Sequence, residues 1–159
     1  MKLHFEQTAI GKIGIAEEDG SITRLIFEGD APPAEAELCA TPLLREAFSQ
    51  LHAYLAGERT DFTLPFAPPG TAFMLSAWQE LCRIPYGGTA SYRELAAAAG
   101  SPKGARAAGM ACNRNPLPIF IPCHRVVGAS GRLTGYGGGL DLKEKLLALE
   151  KNGRLPDIQ

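Results

Sequence analysis

Six residues near the middle of the chain, Pro65-Phe-Ala-Pro-Pro-Gly70, constrain the fold more than any other stretch. Three prolines and a glycine remove backbone donors and stop any helix or central strand from running through. The 159 residues are therefore predicted to divide into lobes at 1–70 and 71–159. Charge follows the same line. The first lobe carries five Lys/Arg against eleven Asp/Glu and the second eleven against six, a net −6 and +5 within an overall −1. A nucleic-acid partner would touch the second lobe and avoid the first. With 45% hydrophobic residues, a chain of about 150 residues can remove roughly 68–70% of its unfolded surface from water, so it needs no disulfide or metal staple. No stretch approaches the roughly 20 apolar residues of a membrane span, and MKLHFEQTAI lacks a signal-peptide layout. The expected protein is soluble and cytoplasmic.

In the first lobe, Leu3 and Phe5, Ile13 and Ile15, and Ile22, Leu25 and Phe27 form short alternating runs. Gly11 and Asp19-Gly20 punctuate them, which predicts a small antiparallel sheet. After a Pro-rich loop, Thr41-Pro42 reads as an N-cap with proline at the first helical position, and Leu44, Phe48, Leu51 and Leu55 keep helical spacing to Gly57. His4 and His52 look isolated, and nothing in this α/β lobe reads as catalytic.

The second lobe reads as mostly helical, giving an α+β protein overall. Thr71 caps a helix whose Phe73, Ala77, Trp78 and Leu81 share a face. Ser91-Tyr-Arg-Glu94 is a capping box opening a helix that lasts to Gly100. Ser101-Pro102 is expected to cap a further helix through Lys103, Ala105, Arg106, Ala107 and Ala108 toward Asn113, and the pair resembles a helix-turn-helix. The second of these helices is unusually bare. Gly104, Ala105, Ala107 and Ala108 suit either close helix packing or close approach to a nucleic-acid groove with Arg106 projecting. A glycine inside the helix would cost on the order of 1 kcal/mol, which favours close approach.

Cys39, Cys82, Cys112 and Cys123 are scattered, with no C-x-x-C pair, so zinc and thioredoxin-type readings are weak. Cys123 differs from the others in its flank. A short apolar strand, Leu117-Pro-Ile-Phe-Ile121, is expected to deliver Pro122-Cys123-His124-Arg125-Val126, where neighbouring cationic groups would favour the nucleophilic thiolate. Adjacent side chains on an extended chain point apart, so His124 can reach Cys123 only if the backbone turns. Gly135-x-Gly137 before a helix is not a phosphate cradle, because it lacks the strand-turn-helix context and a later acidic residue.

With Pro122-Cys123-His124-Arg125-Val126, Asn115-Pro116 upstream and Gly135-Tyr136-x-Gly138-Gly139 downstream, the run Gly88 to Glu150 closely resembles the O6-alkylguanine-DNA alkyltransferases. The resemblance implies a ribonuclease H-like first lobe and a winged-helix-like second one. It also implies a suicide transfer of the alkyl group from O6-alkylguanine, with O4-alkylthymine a further substrate, onto Cys123. His124 would draw the thiol proton through a water, Glu150 would orient His124, and Asn115 would brace the cysteine turn. Tyr92 would donate to the departing base and press on a phosphate. Tyr136 and Val126 would hold the flipped guanine beside Gly137, where the family can carry a hydroxyl residue and this chain leaves room for larger alkyl groups.

By the same resemblance Arg106 fills the gap left by the flipped nucleotide, the helix-turn-helix lies in the minor groove, and Arg93 and Ser101 contact phosphate. Lys103 adds a weaker contact inferred from its helix face alone. The implied partner is duplex DNA carrying O6-alkylguanine, bound as a monomer, with no cofactor and no metal. Some relatives hold zinc in the first lobe, but His4, Cys39 and His52 are too few for a four-ligand site. Two other readings compete. One is a non-catalytic lesion-recognition relative, in which tryptophan usually replaces the cysteine. The other is a thiol hydrolase built on Cys123, His124 and Glu150.

Overall fold

A computed structural model describes residues 1–101 and 104–156, and the chain separates into two compact units, Met1–Pro69 and Gly70–Gln159. Among the described residues no helix is long and apolar enough to cross a membrane.

The first unit opens with β1 (Lys2–Thr8), β2 (Gly11–Glu18) and β3 (Ser21–Phe27), joined antiparallel. Asp19 and Gly20, with φ of 52° and 79°, turn β2 into β3 in the manner of a type I′ hairpin. A two-residue β4 (Glu37–Leu38) runs parallel to β1 and completes the order β3-β2-β1-β4. α1 (Pro42–Leu55) starts at Thr41, whose hydroxyl accepts from the Leu44 N–H at 3.1 Å, with proline in its first turn. Its buried Leu44, Phe48, Leu51 and Leu55 pack over β1 and β2, against the inward Leu3, Ile13 and Ile15. His4 and His52 are not isolated. Both converge on Glu6, at 3.1 and 2.9 Å, around the Phe48 ring.

In the second unit, α2 (Ala72–Leu81) is capped by Thr71 and buries Ala77, Trp78 and Leu81. β5 (Ala90–Ser91) leads into α3 (Tyr92–Ala98) through a complete capping box, with the Glu94 N–H donating to Ser91 Oγ and the Ser91 N–H to Glu94 Oε1, both at 3.0 Å. α4 (Ala105–Asn113) packs on α3 and α2 as the second helix of the helix-turn-helix. β6 (Val126–Val127) pairs parallel with β5, Ala90 opposite Val126 and Ser91 opposite Val127. That short ladder ties the start of α3 to the segment just after Cys123. α5 (Leu140–Asn152) follows, burying Lys143, Leu146, Leu149 and Glu150.

Three local expectations are corrected. Residues 117–121 are not a strand: Leu117 O accepts the Ile121 N–H at 2.8 Å, closing a tight loop. Pro116, Pro118 and Pro122 lack the donors a ladder needs, and Ile119 sits at φ 76°, a strained conformation for a β-branched residue that its own burial and that of Leu117, Phe120 and Ile121 must hold. α4 begins at Ala105 rather than directly after Ser101, because Gly104 is its N-cap and donates to the Ser101 carbonyl at 2.8 Å. Gly104 is therefore not a helix-interior glycine. A Cβ there would lie 2.5 Å from Ser101 Oγ and 3.1 Å from the Ser101 carbonyl oxygen, so glycine gives room for this close approach.

Trp78 is buried at the centre of this unit, and its Nε1–H donates to the Ala111 carbonyl in α4 at 2.9 Å. Replacing Trp78 by Phe keeps much of the apolar bulk but strands a buried acceptor. The expected loss is about 1–3 kcal/mol of unfolding free energy, measured by urea denaturation followed by circular dichroism.

Candidate active site

Cys123 opens a 3₁₀ turn, Cys123–Arg125, entered through Pro122 at φ −79° and ψ 63°. The Cys123 N–H donates to the Ile121 carbonyl at 2.8 Å, an inverse γ-turn, and the Arg125 N–H donates to the Pro122 carbonyl at 3.0 Å. This bend replaces the extended geometry that would set Cys123 and His124 on opposite sides. Asn115 braces the approach. Its side-chain carbonyl accepts from the Leu117 N–H, and its amide donates to the Ile121 carbonyl, both at 2.9 Å.

Behind the turn lies Glu150, with a side chain 1% exposed. His124 Nε2 is 2.7 Å from Glu150 Oε2, Arg125 donates to both carboxylate oxygens at 2.7 and 3.0 Å, and the Gly87 N–H donates at 3.2 Å. Gly87 reaches this position with φ 80°, the left-handed region that favours glycine. The carboxylate fixes the histidine tautomer: Nε2 carries the hydrogen, so Nδ1 is the nitrogen that can take a proton. Arg125 also donates to the Ile84 carbonyl at 2.6 Å and stacks over Tyr86.

Burial sets the protonation states. The Cys123 thiol is pushed up to about 11 by burial, against the pull of an Asn115 hydrogen bond and the Lys143 charge. Cys112 is pushed up to about 12, again by burial first. Burial holds His124 below the usual imidazole range, with Arg125 and Lys143 adding to the effect and Glu150 opposing it. The cationic flank of Cys123 therefore does not by itself yield a thiolate at neutral pH. Arg125 is committed to Glu150, and the desolvation of the thiol outweighs the remaining positive charge.

The residues predicted from sequence fall into two groups. Asn115 braces the turn and hydrogen-bonds Cys123, while His124, the next residue in the turn, pairs with Glu150. Tyr92, half-buried at the first turn of α3, has its hydroxyl 2.5 Å from Thr134 Oγ1. Burial raises the Tyr92 phenol above its ordinary value, so it holds its proton at neutral pH. Val126 is buried in β6, Tyr136 is half-buried, and Gly137 is exposed, with no atom within 4 Å of a Cβ built there. Arg93 and Arg106 are exposed on α3 and α4. Ser101 links the two helices through its backbone, its N–H donating to the Ala96 carbonyl at 2.8 Å. Lys103 lies outside the described residues. Sequence reasoning missed Thr134, Lys143, Gly87 and the true partner of Arg125. For Lys143 a signal existed: it shares a helical stripe with Leu146 and Glu150.

Two family descriptions match the chain: "6-O-methylguanine DNA methyltransferase, ribonuclease-like domain" over residues 1–68 and "6-O-methylguanine DNA methyltransferase, DNA binding domain" over residues 72–152. The constitutive methylated-DNA–protein-cysteine methyltransferase of Bacillus subtilis is 47% identical over 152 residues, 91% of this chain and 92% of that protein. The methylated-DNA–protein-cysteine methyltransferase of Methanosarcina mazei is 43% identical over 155 residues, 96% of this chain and 98% of its own length. Among solved structures, Mycobacterium tuberculosis OGT in complex with DNA superposes with a TM-score of 0.91 at 40% identity, covering 98% of this chain and 96% of that one.

A thiol whose pKa rises on folding leaves a mark on stability. Below the ordinary value of 9.0 both states keep the proton. Between there and about 11 only the unfolded state releases it, so the contribution of Cys123 is lost as pH rises. Relative to Cys123→Ala, the wild-type protein is expected to lose stability over that window, by at most about 1.4 kcal/mol per pH unit. Denaturation midpoints of the two proteins from pH 8 to 11 check this.

Proposed function

This chain belongs to the 6-O-methylguanine DNA methyltransferase family, and from that premise we propose that Cys123 takes the alkyl group of O6-alkylguanine in duplex DNA and keeps it. The observation that carries the reading is the buried pairing of His124 with Glu150 at 2.7 Å directly behind the cysteine turn. A neutral imidazole, oriented by a carboxylate and next in sequence to a protonated thiol, is the pairing that a displacement by sulfur calls for.

The thiol passes its proton through a water to His124 Nδ1, and Glu150 stabilises the imidazolium that forms. The sulfur–carbon bond forms as the carbon–O6 bond breaks. The electron pair of the broken bond stays on the guanine, whose developing charge is met by the Tyr92 O–H. Once the base has left, Tyr92 and His124 return to their resting protonation through solvent. Nothing is oxidised or reduced, and the thioether is stable, so each molecule acts once.

Cys123 is only 5% exposed, so it cannot reach O6 of a stacked guanine. The base must leave the duplex, at a cost of a few kcal/mol. Arg106, exposed on the bare outer face of α4, fills the vacated stack while Arg93 and Ser101 meet the backbone. Val126 and Tyr136 line the place of the flipped base, and the open space at Gly137 accommodates larger alkyl groups.

Incubation with an O6-methylguanine duplex should add the mass of one methyl group, confined to the peptide containing Cys123. Cys123→Ala should add none while still binding DNA, and methyl gain by that variant would refute the assignment. Arg106→Ala should slow duplex repair on the order of tenfold to a hundredfold, since base flipping costs a few kcal/mol, yet react normally with free O6-benzylguanine. Equal losses on the two substrates would remove Arg106 from the flipping step.

A further inference from the structure

The loop between β6 and α5 carries a threonine that the signature residues do not include. Two contacts hold Thr134. Its carbonyl accepts from Lys143 Nζ at 3.1 Å, and its hydroxyl lies 2.5 Å from the Tyr92 hydroxyl. Lys143 is itself wholly buried on α5. An ammonium in that setting must be held by an acceptor, and the Thr134 carbonyl is one. With its backbone held at the carbonyl, the threonine keeps its hydroxyl within reach of the phenol.

The geometry points to Thr134 as a positioning residue for the alkyl transfer: pinned by Lys143, it donates its hydroxyl hydrogen to the Tyr92 oxygen, aiming the phenol hydrogen at the departing guanine. This rests on the reading of Tyr92 given above. The direction of the short bond follows from counting protons. Tyr92 has one hydrogen, and if that hydrogen goes to the base, the hydrogen between Tyr92 and Thr134 must come from Thr134. Negative charge growing on the phenol oxygen as it gives up its hydrogen is then met by a second donor, and two hydrogen bonds in series strengthen each other. The same bond lowers the tendency of Tyr92 to hold its proton, opposing the effect of burial.

Thr134→Val keeps the shape and removes the donor, and Thr134→Ser keeps the donor. Single-turnover methyl transfer at saturating duplex should fall about tenfold in Thr134→Val, the scale of one net hydrogen bond. Thr134→Ser should stay within about twofold of wild type, and DNA affinity should be unchanged in both. In a Tyr92→Phe background, Thr134→Val should cost nothing further, because its action runs through the phenol. Thr134→Ala, which retains the carbonyl that holds Lys143, should repeat the valine result and serves if valine distorts the loop. A wild-type rate in both Thr134→Val and Thr134→Ala, a Thr134→Ser variant as slow as valine, or an equal valine penalty with and without the phenol would each overturn the inference. If Tyr92→Phe transfers at the wild-type rate, the donor reading of Tyr92 fails and this one with it. If Tyr92→Phe is slow and Thr134→Val is not, only the role of Thr134 falls.

Discussion

The second unit is organised around one buried carboxylate. Glu150 on α5 receives hydrogen bonds from His124 and Arg125 in the cysteine turn and from Gly87 in the segment leading to β5. Taking such a charge out of water costs several kcal/mol unless it is paired and its oxygens are satisfied. Here the bidentate arginine supplies the pairing, and the histidine and the glycine N–H complete it. Three stretches far apart in sequence are thereby held at one point. The arrangement also tempers the histidine. A carboxylate shared with Arg125 pulls less strongly on His124, which stays neutral and able to accept a proton.

That tempering matters because the thiol is kept quiet. A buried cysteine pushed up to about 11 is a weak nucleophile at neutral pH. For a protein that can react only once, quietness is useful, since a resting thiolate would be consumed by any small electrophile. Under the proposed mechanism, activation is confined to the moment when a base occupies the site and His124 takes the proton. Asn115 and Lys143 favour the anion without being strong enough to create it at rest. The electropositive flank seen in the sequence suggested the opposite. The flank does not deliver its charge to the thiol, because the Arg125 guanidinium, a neighbour of Cys123 in sequence, faces Glu150.

The features legible in the sequence are those decided within a few residues. Asp19-Gly20, Thr41-Pro42, Thr71 and the Ser91–Glu94 box act on their own turns, and each stands where its pattern put it. The illegible ones depend on distant partners. β5 and β6 are two residues each, and their parallel pairing joins positions 90 and 126 with no alternation to announce it. β4 is equally short. Residues 117–121 carried a strand's composition, but the prolines around them left too few donors for a ladder. Thr134 looked like an ordinary loop residue until Tyr92 and Lys143, 42 residues before it and 9 after it, came to meet it.

The helix α4 shows how one sequence feature can answer two demands. Its small residues had seemed to require a choice between tight packing and close approach to DNA. Ala108 and Ala111 are buried, and the Ala111 carbonyl accepts the Trp78 hydrogen bond, so the inner face needs small residues to let α2 come near. Arg106, Ala107 and Met110 are exposed, so on the outer face the only long cation is Arg106 among the described residues. Gly109 lies between the two faces, where a Cβ would be 3.8 Å from the Tyr92 ring. An alanine there would meet the ring at ordinary van der Waals distance. Under the proposed function, the outer face of α4 that approaches DNA and the phenol that meets the flipped base are neighbours across this glycine, so the bareness of α4 would serve the chemistry as well as the groove.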